Sequence, residues 1–396
     1  MRPDLACAVF LALLALLAPA VASSEPVLMV FGNANMDKTL DQEDVNALRE
    51  MLAGAAPPTQ LADANADGKI DLADLARTEE ILAGAESELV VIDAANRTVR
   101  IPMPATRLVV FSTTYAEAVR ILGASGQVVG TSSAISKDGE YFSDLGGLPS
   151  IGSMWTPDLE ALISLRPDLV LTSKKDPVGL EEQLPPNITV VRMEFTDPDT
   201  LETEIRMLGL ILGRRQAAEG FAGYYRGHLA LIEKRLAGQD ENDRPLVYME
   251  YSKEYGAAGR DSALERLCTL AGGKNLGSQL KGDSPVVDAE WLMAQDPRFM
   301  VKWTSRDKLE QARGELLSRP GLSNVSAVKN GSVYAVSYEV TTRPACFVGV
   351  AYLAKWLYPQ LFADMDPKEI HMEYLKRFQG IDDPQSLGAF VYPAEA

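Results

Sequence analysis

Apolar positions fall into three regimes along the chain. A nearly unbroken apolar run from Leu5 to Ala22 comes first, followed by two short segments, Asp44–Ala53 and Asp74–Ala83, with apolar residues at helical spacing between oxygen-rich loops. From Leu89 onward, short strand-like runs alternate with helical ones. Leu89–Ile92 and Thr98–Ile101 read as a hairpin around Ala95-Asn96-Arg97. Strands are predicted at Leu108–Phe111, Gln127–Gly130, Asp168–Leu171 and Ile188–Val191. Helices are predicted at Tyr115–Leu122, stopped by Gly123, and at Pro157–Ser164. After Pro198 no proline occurs before Ala237, and Leu201, Ile205, Leu208, Ile211, Leu212, Phe221, Tyr225, Leu229 and Ile232 keep the three-and-four spacing of one long helix or two abutting ones. A second alternating run starts at Pro245–Met249 and continues through Leu264–Leu270, Trp291–Ala294, Phe299–Trp303 and Val333–Val336. Alternation of this kind predicts parallel sheets covered by helices. The expected fold class is α/β: two three-layer lobes joined by a long helix, behind a small α-helical module.

The small module carries an internal repeat. Residues 33–54 and 63–84 align without a gap at a period of 30. Each copy sets oxygen-bearing side chains at positions 1, 3, 5, 9 and 12 of a loop: Asn33, Asn35, Asp37, Asp41 and Asp44, then Asp63, Asn65, Asp67, Asp71 and Asp74. The carbonyls of Thr39 and Lys69 fill position 7, and Gly68 stands at the sharp turn of the second loop. A hard cation takes six to eight oxygens, so this spacing nominates two Ca²⁺ sites. The first loop is the poorer one, with Asn at position 1 and Lys38 where the turn favours glycine. An Asp at position 12 and a single helix after each loop make the module similar to a dockerin, and a cohesin-type protein is the partner this resemblance implies. The alternative is that the module folds against the lobes as a brace.

The leading run has a basic start at Arg2, an apolar middle and the small-residue exit Ala20-Val21-Ala22, as a secretory signal does. Export with a mature chain from Ser23 is expected; an uncleaved anchor is the competing reading, since the run is long enough to cross a bilayer. The domain limits that follow are 1–22 for the signal, 27–85 for the repeat module, 88–197 for the first lobe, 198–240 for the linking helix and 244–396 for the second lobe. A formal charge of −17 excludes nucleic acid as a natural partner. Cys7, Cys268 and Cys346 have no metal-ligand spacing and read as leader or core thiols. Two histidines, His228 and His371, stand apart, which argues against a receptor for naked zinc or manganese; both are placed on solvated helix faces.

A series of short segments, taken in order, carries a second resemblance. Thr106–Val110, Val128-Val129-Gly130, Ile151-Gly152, Pro157–Leu162, Arg166–Val170, Leu270–Asn275 and Arg319–Tyr334 fall in the order seen in periplasmic binding proteins for siderophores, haem and cobalamin, over roughly residues 88 to 360. The resemblance implies an exported or cell-surface receptor that captures a metal chelate between two lobes and delivers it to an ABC permease driven by a cytoplasmic ATPase. It also implies one permease-docking acid on each lobe. Glu160 matches the first position and Asp261 the second, where Asp is a methylene shorter than the usual Glu.

Ligands of open α/β sheets lie at the carboxyl ends of the strands. In the first lobe this nominates Ser112, Thr113, Thr114, Tyr115, Ser132, Trp155, Ser173, Lys174 and Lys175. In the second it nominates Tyr251, Tyr255, Trp303 and the loop Tyr338–Pro344 with Arg343. Aromatic rings suit the faces of a chelate, and an arginine forks onto a carboxylate. Trp155 and Arg343 are the leading candidates. No nucleophile elbow, Cys–His pair, His-Glu-x-x-His or phosphate loop occurs, so the chain is read as a non-enzyme. The alternatives are a dockerin-tethered hydrolase or a structural, adhesive surface protein.

Overall fold

The computed structural model describes residues 25–176 and 178–394, so the leader assigned to residues 1–22 lies outside the described residues. The repeat module forms α1 (Gln42–Leu52) and α2 (Leu72–Ala83). Each is opened by a capping box in which Asp41 or Asp71 caps the helix and Asp44 or Asp74 reaches back to the cap backbone. The module is packed on the rest of the chain. Phe31 donates its N–H to Val90 O at 2.9 Å and Ile92 to Met29 O at 2.9 Å, which adds residues near Val30 to the hairpin β1 (Glu88–Ile92) and β2 (Thr98–Pro102). Arg100 on β2 donates to Asn65 O and Ala66 O in the second loop. Leu28, Val30, Leu40 and Ile81 enter the same apolar core as the lobes.

The first lobe follows as β3 (Leu108–Val110), α3 (Thr113–Ile121), β4 (Val128–Thr131), α4 (Ser133–Lys137), a two-stranded turn of β5 (Gly152–Ser153) and β6 (Thr156–Pro157), α5 (Leu159–Ser164), β7 (Leu169–Thr172), α6 (Leu180–Gln183) and β8 (Thr189–Arg192). Its parallel sheet has the order β4-β3-β7-β8. β3 and β7 are buried throughout, which is why both read as unbroken apolar runs in the sequence.

The predicted linking helix is two helices. α7 (Leu201–Ile211) ends at Leu212-Gly213-Arg214, where Gly213 takes a φ of 63°, and α8 (Arg215–Leu236) turns back across it. The crossing is tight: a methyl on Gly209 would stand 2.5 Å from the Ala218 methyl. The helix that carries the chain from the first lobe to the second is α8, 22 residues long.

The second lobe contains β9 (Leu246–Glu250), α9 (Ala263–Leu270), β10 (Lys274–Asn275), α10 (Ala289–Gln295), β11 (Phe299–Thr304), α11 (Leu309–Ser318), α12 (Ser326–Lys329) and β12 (Val333–Ser337). The terminal elements are α13 (Cys346–Leu357), α14 (Pro367–Gln379) and β13 (Val391–Tyr392). The sheet order is β10-β9-β11-β12-β13, parallel except for β13. Within the segment 244–396, α14 packs both on α13 of the second lobe and on α3 of the first. The solvated placement expected of the two histidines is corrected. His371 on α14 is 1% exposed, with its pKa lowered to about 3 by burial, and His228 packs against Tyr224 and Phe347.

Candidate functional site

Contacts across the lobes run from segments that follow strand carboxyl ends: Lys175, after β7, meets Asp283, and Arg306, after β11, meets Asp138. Ser112 caps α3, its side chain accepting from Tyr115 N, and places Thr113 and Thr114 half-buried in the first turn. Tyr115 points away: it is 3% exposed, its hydroxyl donates to Met193 O, and its ring packs on Phe195. Tyr115 is a core residue and leaves the set of cleft candidates.

The second lobe supplies an aromatic wall. Trp303 on β11 has its ring centroid 5.0 Å from Tyr251, edge to face, and 4.1 Å from Tyr338. Its indole N–H donates to Thr341 Oγ at 2.8 Å, which fixes the ring. Tyr251 and Trp303 are thus brought together, and Tyr338 completes the wall. Trp155 sits on the β5–β6 turn, 63% exposed, the turn being held by Ser153 and Thr156 hydroxyls 2.9 Å apart.

Other candidates are engaged elsewhere. Tyr255 lies under the Arg319 guanidinium at 4.5 Å and belongs to a buried cluster in which Glu250 accepts from Lys302 Nζ at 2.6 Å and from both ends of Arg319. Burial works to raise the Glu250 pKa, but Arg319 and Lys302 hold it below the ordinary value. Lys174 lines a crevice between the front module and the first lobe, together with Met29, Asp93 and Glu194. Lys175 crosses the lobes to Asp283 at 3.0 Å.

Arg343, expected to fork onto a ligand, is spent on protein carboxylates. Its guanidinium donates to Glu117 Oε1 at 2.8 Å and stands 3.6 Å from Glu339, over the rings of Tyr141 and Phe142. Glu117 is fully buried, and burial raises its pKa although Arg343 and Tyr374 oppose the shift. Glu117 comes from α3, Arg343 from the second lobe and Tyr374 from α14, so this cluster ties both lobes together. It continues outward through Glu339 to Arg306 at 3.5 Å, and from Arg306 to Asp138 of the first lobe at 3.2 Å. Glu339 falls inside the nominated loop Tyr338–Pro344, whereas Glu117, Asp138 and Arg306 lie outside every nominated segment. Glu117 left one signal, a lone acid amid Ala116, Ala118 and Val119.

Glu160, in the first turn of α5, and Asp261, shortly before α9, are both exposed near the strand carboxyl ends of their lobes. Asp261 accepts from Gly282 N at 2.9 Å. Cys268 and Cys346 are buried free thiols, and burial raises the pKa of Cys346 to about 12. In the repeat module, Asp63 accepts from Asp67 N and Gly68 N, and Asn65 from Asp67 N. Asp37, Asn33 and Asn35 close the first loop in the same manner. Asp44 and Asp74 are fully buried. Burial, with Asp37 and Asp41 adding, raises the Asp44 pKa to about 6; burial with Asp63 and Asp71 raises that of Asp74. Among the described residues, no group of three or more His, Cys, Asp or Glu is arranged to hold a metal ion, so the loops offer a mixture of carboxylate, amide and carbonyl oxygens and no carboxylate cage.

Two α/β lobes with parallel sheets, joined by α8, define a two-lobed α/β protein. The sequence model of the family described as Periplasmic binding protein matches residues 108–339, and the chain belongs to that family. It is 23% identical over 323 residues to the molybdate-binding protein MolA of Haemophilus influenzae, covering 74% of this chain and 91% of the relative. It is 26% identical over 265 residues to a cobalamin-binding protein of Halobacterium salinarum, covering 64% and 69%. The structure of MolA bound to molybdate superposes with a TM-score of 0.65 at 21% identity, over 74% of this chain and 98% of that one, and shows the shared fold. The family places this chain outside the cytoplasm as the non-enzymatic solute-binding component of an ABC importer, working with a permease and its ATPase.

Proposed function

We propose that the protein captures a metal chelate between its lobes and delivers it to its permease. The observation that carries this reading is the Tyr251–Trp303–Tyr338 cluster, three aromatic rings gathered where β9, β11 and β12 end. Rings at van der Waals spacing suit the flat, partly apolar surface of a chelate. The names of the relatives, which specify molybdate and cobalamin, support a metal-containing solute. Glu160 in the first turn of α5 and Asp261 just before α9, both exposed, are the acids offered to permease arginines.

The repeat module is assigned two Ca²⁺ sites that brace the receptor. The buried carboxylates of Asp44 and Asp74, each crowded by two further acids, gain a counter-charge from a cation at the loop centre. The contacts of Arg100, Arg206 and Arg215 with the module's carbonyls favour a brace over a freely tethered docking domain, and a cohesin-type partner takes second place.

Native mass spectrometry of the chain without its leader, exposed to ferric siderophores, haemin, corrinoids and molybdate with and without a calcium chelator, tests both parts. One chelate retained per chain is expected, with two Ca²⁺ lost on chelation. Retention of calcium and of no chelate would shift the reading to a structural or adhesive protein.

A further inference from the structure

Arg319 alone gives Glu250 a two-armed partner, its terminal nitrogens standing 2.8 and 3.0 Å from the two carboxylate oxygens. A second cation, Lys302 on β11, is nevertheless buried beside it at 4% exposure. Burying a further ammonium is costly unless its donors are used. An ammonium has three donors and accepts nothing. One goes to Glu250 Oε1 at 2.6 Å, and the others reach Ser252 O at 3.2 Å and Lys253 O at 3.5 Å. Lys302 therefore ties the buried cluster to the loop that follows β9, and this loop carries Tyr251.

The loop is a tight return. Tyr251 N donates to Gly256 O at 2.8 Å and Gly256 N to Lys253 O at 3.1 Å. Tyr255 takes a φ of 57°, a left-handed conformation that a bulky side chain rarely adopts, and its N–H donates to Glu250 Oε2 at 3.0 Å. Ser252 extends the chain of contacts, its hydroxyl hydrogen-bonding the Tyr338 phenol. Ser252, Lys302 and Tyr338 line one cavity of roughly 240 Å³. Trp303, the next residue on β11, packs on both Tyr251 and Tyr338. The supports of all three rings thus meet at one ammonium.

We infer that Lys302 is a positioning residue for ligand capture: anchored on Glu250, it holds the Ser252 and Lys253 carbonyls and so fixes the arrangement of Tyr251, Trp303 and Tyr338. A surface whose shape is set during folding has less ordering left to lose when a ligand arrives. The role rests on the reading of these rings as the chelate-binding surface.

The test uses the chain without its leader, with hydroxocobalamin, haemin and ferrichrome as probes. Lys302→Met, close in length and shape, removes the ammonium and leaves Glu250 on Arg319. Ser252→Ala, at an exposed position, removes the link to Tyr338. Leu316→Ala opens a cavity in the core of the same lobe and serves as a control for lost stability. Near-ultraviolet circular dichroism reads the ring arrangement, tryptophan quenching the affinity and thermal unfolding the stability. Lys302→Met should weaken the near-ultraviolet signal and lower the affinity for the retained probe by about tenfold or more, and Ser252→Ala by about threefold. Leu316→Ala should lower the unfolding temperature and leave both signal and affinity as in the wild type. An unchanged signal and affinity in Lys302→Met overturn the inference and leave chelate capture standing. So does a loss of affinity no greater than that of Leu316→Ala at equal loss of stability. If Lys302→Met does not fold, Ser252→Ala gives the answer, and an unchanged affinity in it overturns the inference. Binding of none of the probes by the wild type would remove the capture reading and this role with it.

Discussion

Glu250 and Glu339 are both buried carboxylates at the carboxyl ends of second-lobe strands, each facing two cations, yet their surroundings differ. Glu250 is saturated: it accepts from Lys302, from both ends of Arg319, from the Tyr248 hydroxyl at 2.8 Å and from Tyr255 N at 3.0 Å. Every one of these partners belongs to its own lobe. Glu339 shares one oxygen loosely between two arginines that turn to the first lobe, and keeps the other oxygen free. A saturated cluster fixes a lobe internally. One that spans two lobes ties them to each other.

The widest separation between the two clusters should appear on truncation. Glu250→Ala strands Lys302 and Arg319 inside one lobe, and a loss of about 3–5 kcal/mol is expected in urea unfolding; a loss below about 1 kcal/mol would mean that water reaches this cluster and the contrast is false. Arg343→Met leaves Glu117 buried without its guanidinium. The expected cost is about 3 kcal/mol, reduced at low pH, because burial already raises the Glu117 pKa and a protonated carboxyl needs no cation. If acid gives no relief, the interlobe cluster is held by packing and not by charge.

A smaller effect concerns His371, which Arg306 of the open cluster faces. Its folded pKa of about 3 lies below the 6.5 of an ordinary histidine. The unfolded chain therefore takes up the proton first, and stability present above pH 6.5 is lost progressively as the pH falls toward 3. His371→Leu should flatten that part of the stability profile relative to wild type; an unchanged slope would show that the imidazole is hydrated. The smallest change is expected at the exposed pair Lys175–Asp283. Lys175→Ala should alter stability by under about 0.5 kcal/mol, and a larger loss would make this pair a second fastening between the lobes.

Strand-like runs were legible because strands such as β3 and β7 are covered on both faces, and full burial writes itself as uninterrupted Leu and Val. The module's loops were legible because each oxygen's position is fixed by local chain geometry. Tyr251 and Trp303 were legible as residues closing strands. The placement of Tyr115 was not, since α3 is buried along almost its whole length and its pattern does not tell cleft from core. The break after α7 had a local sign in Gly213 that the continuing apolar periodicity of α8 masked.

By itself the sequence determined the alternation of strands and helices, the repeat and its oxygen-bearing positions, and the family order of motifs, because each depends on residues near one another in the chain or on burial of whole segments. The tertiary structure alone decided that the module packs against the rest of the chain, that α14 touches both lobes, and that Arg343 is matched to Glu117, 226 residues away. Which charge an arginine meets depends on what the fold carries to it. Across the lobes it carried acids enough to occupy both arginines.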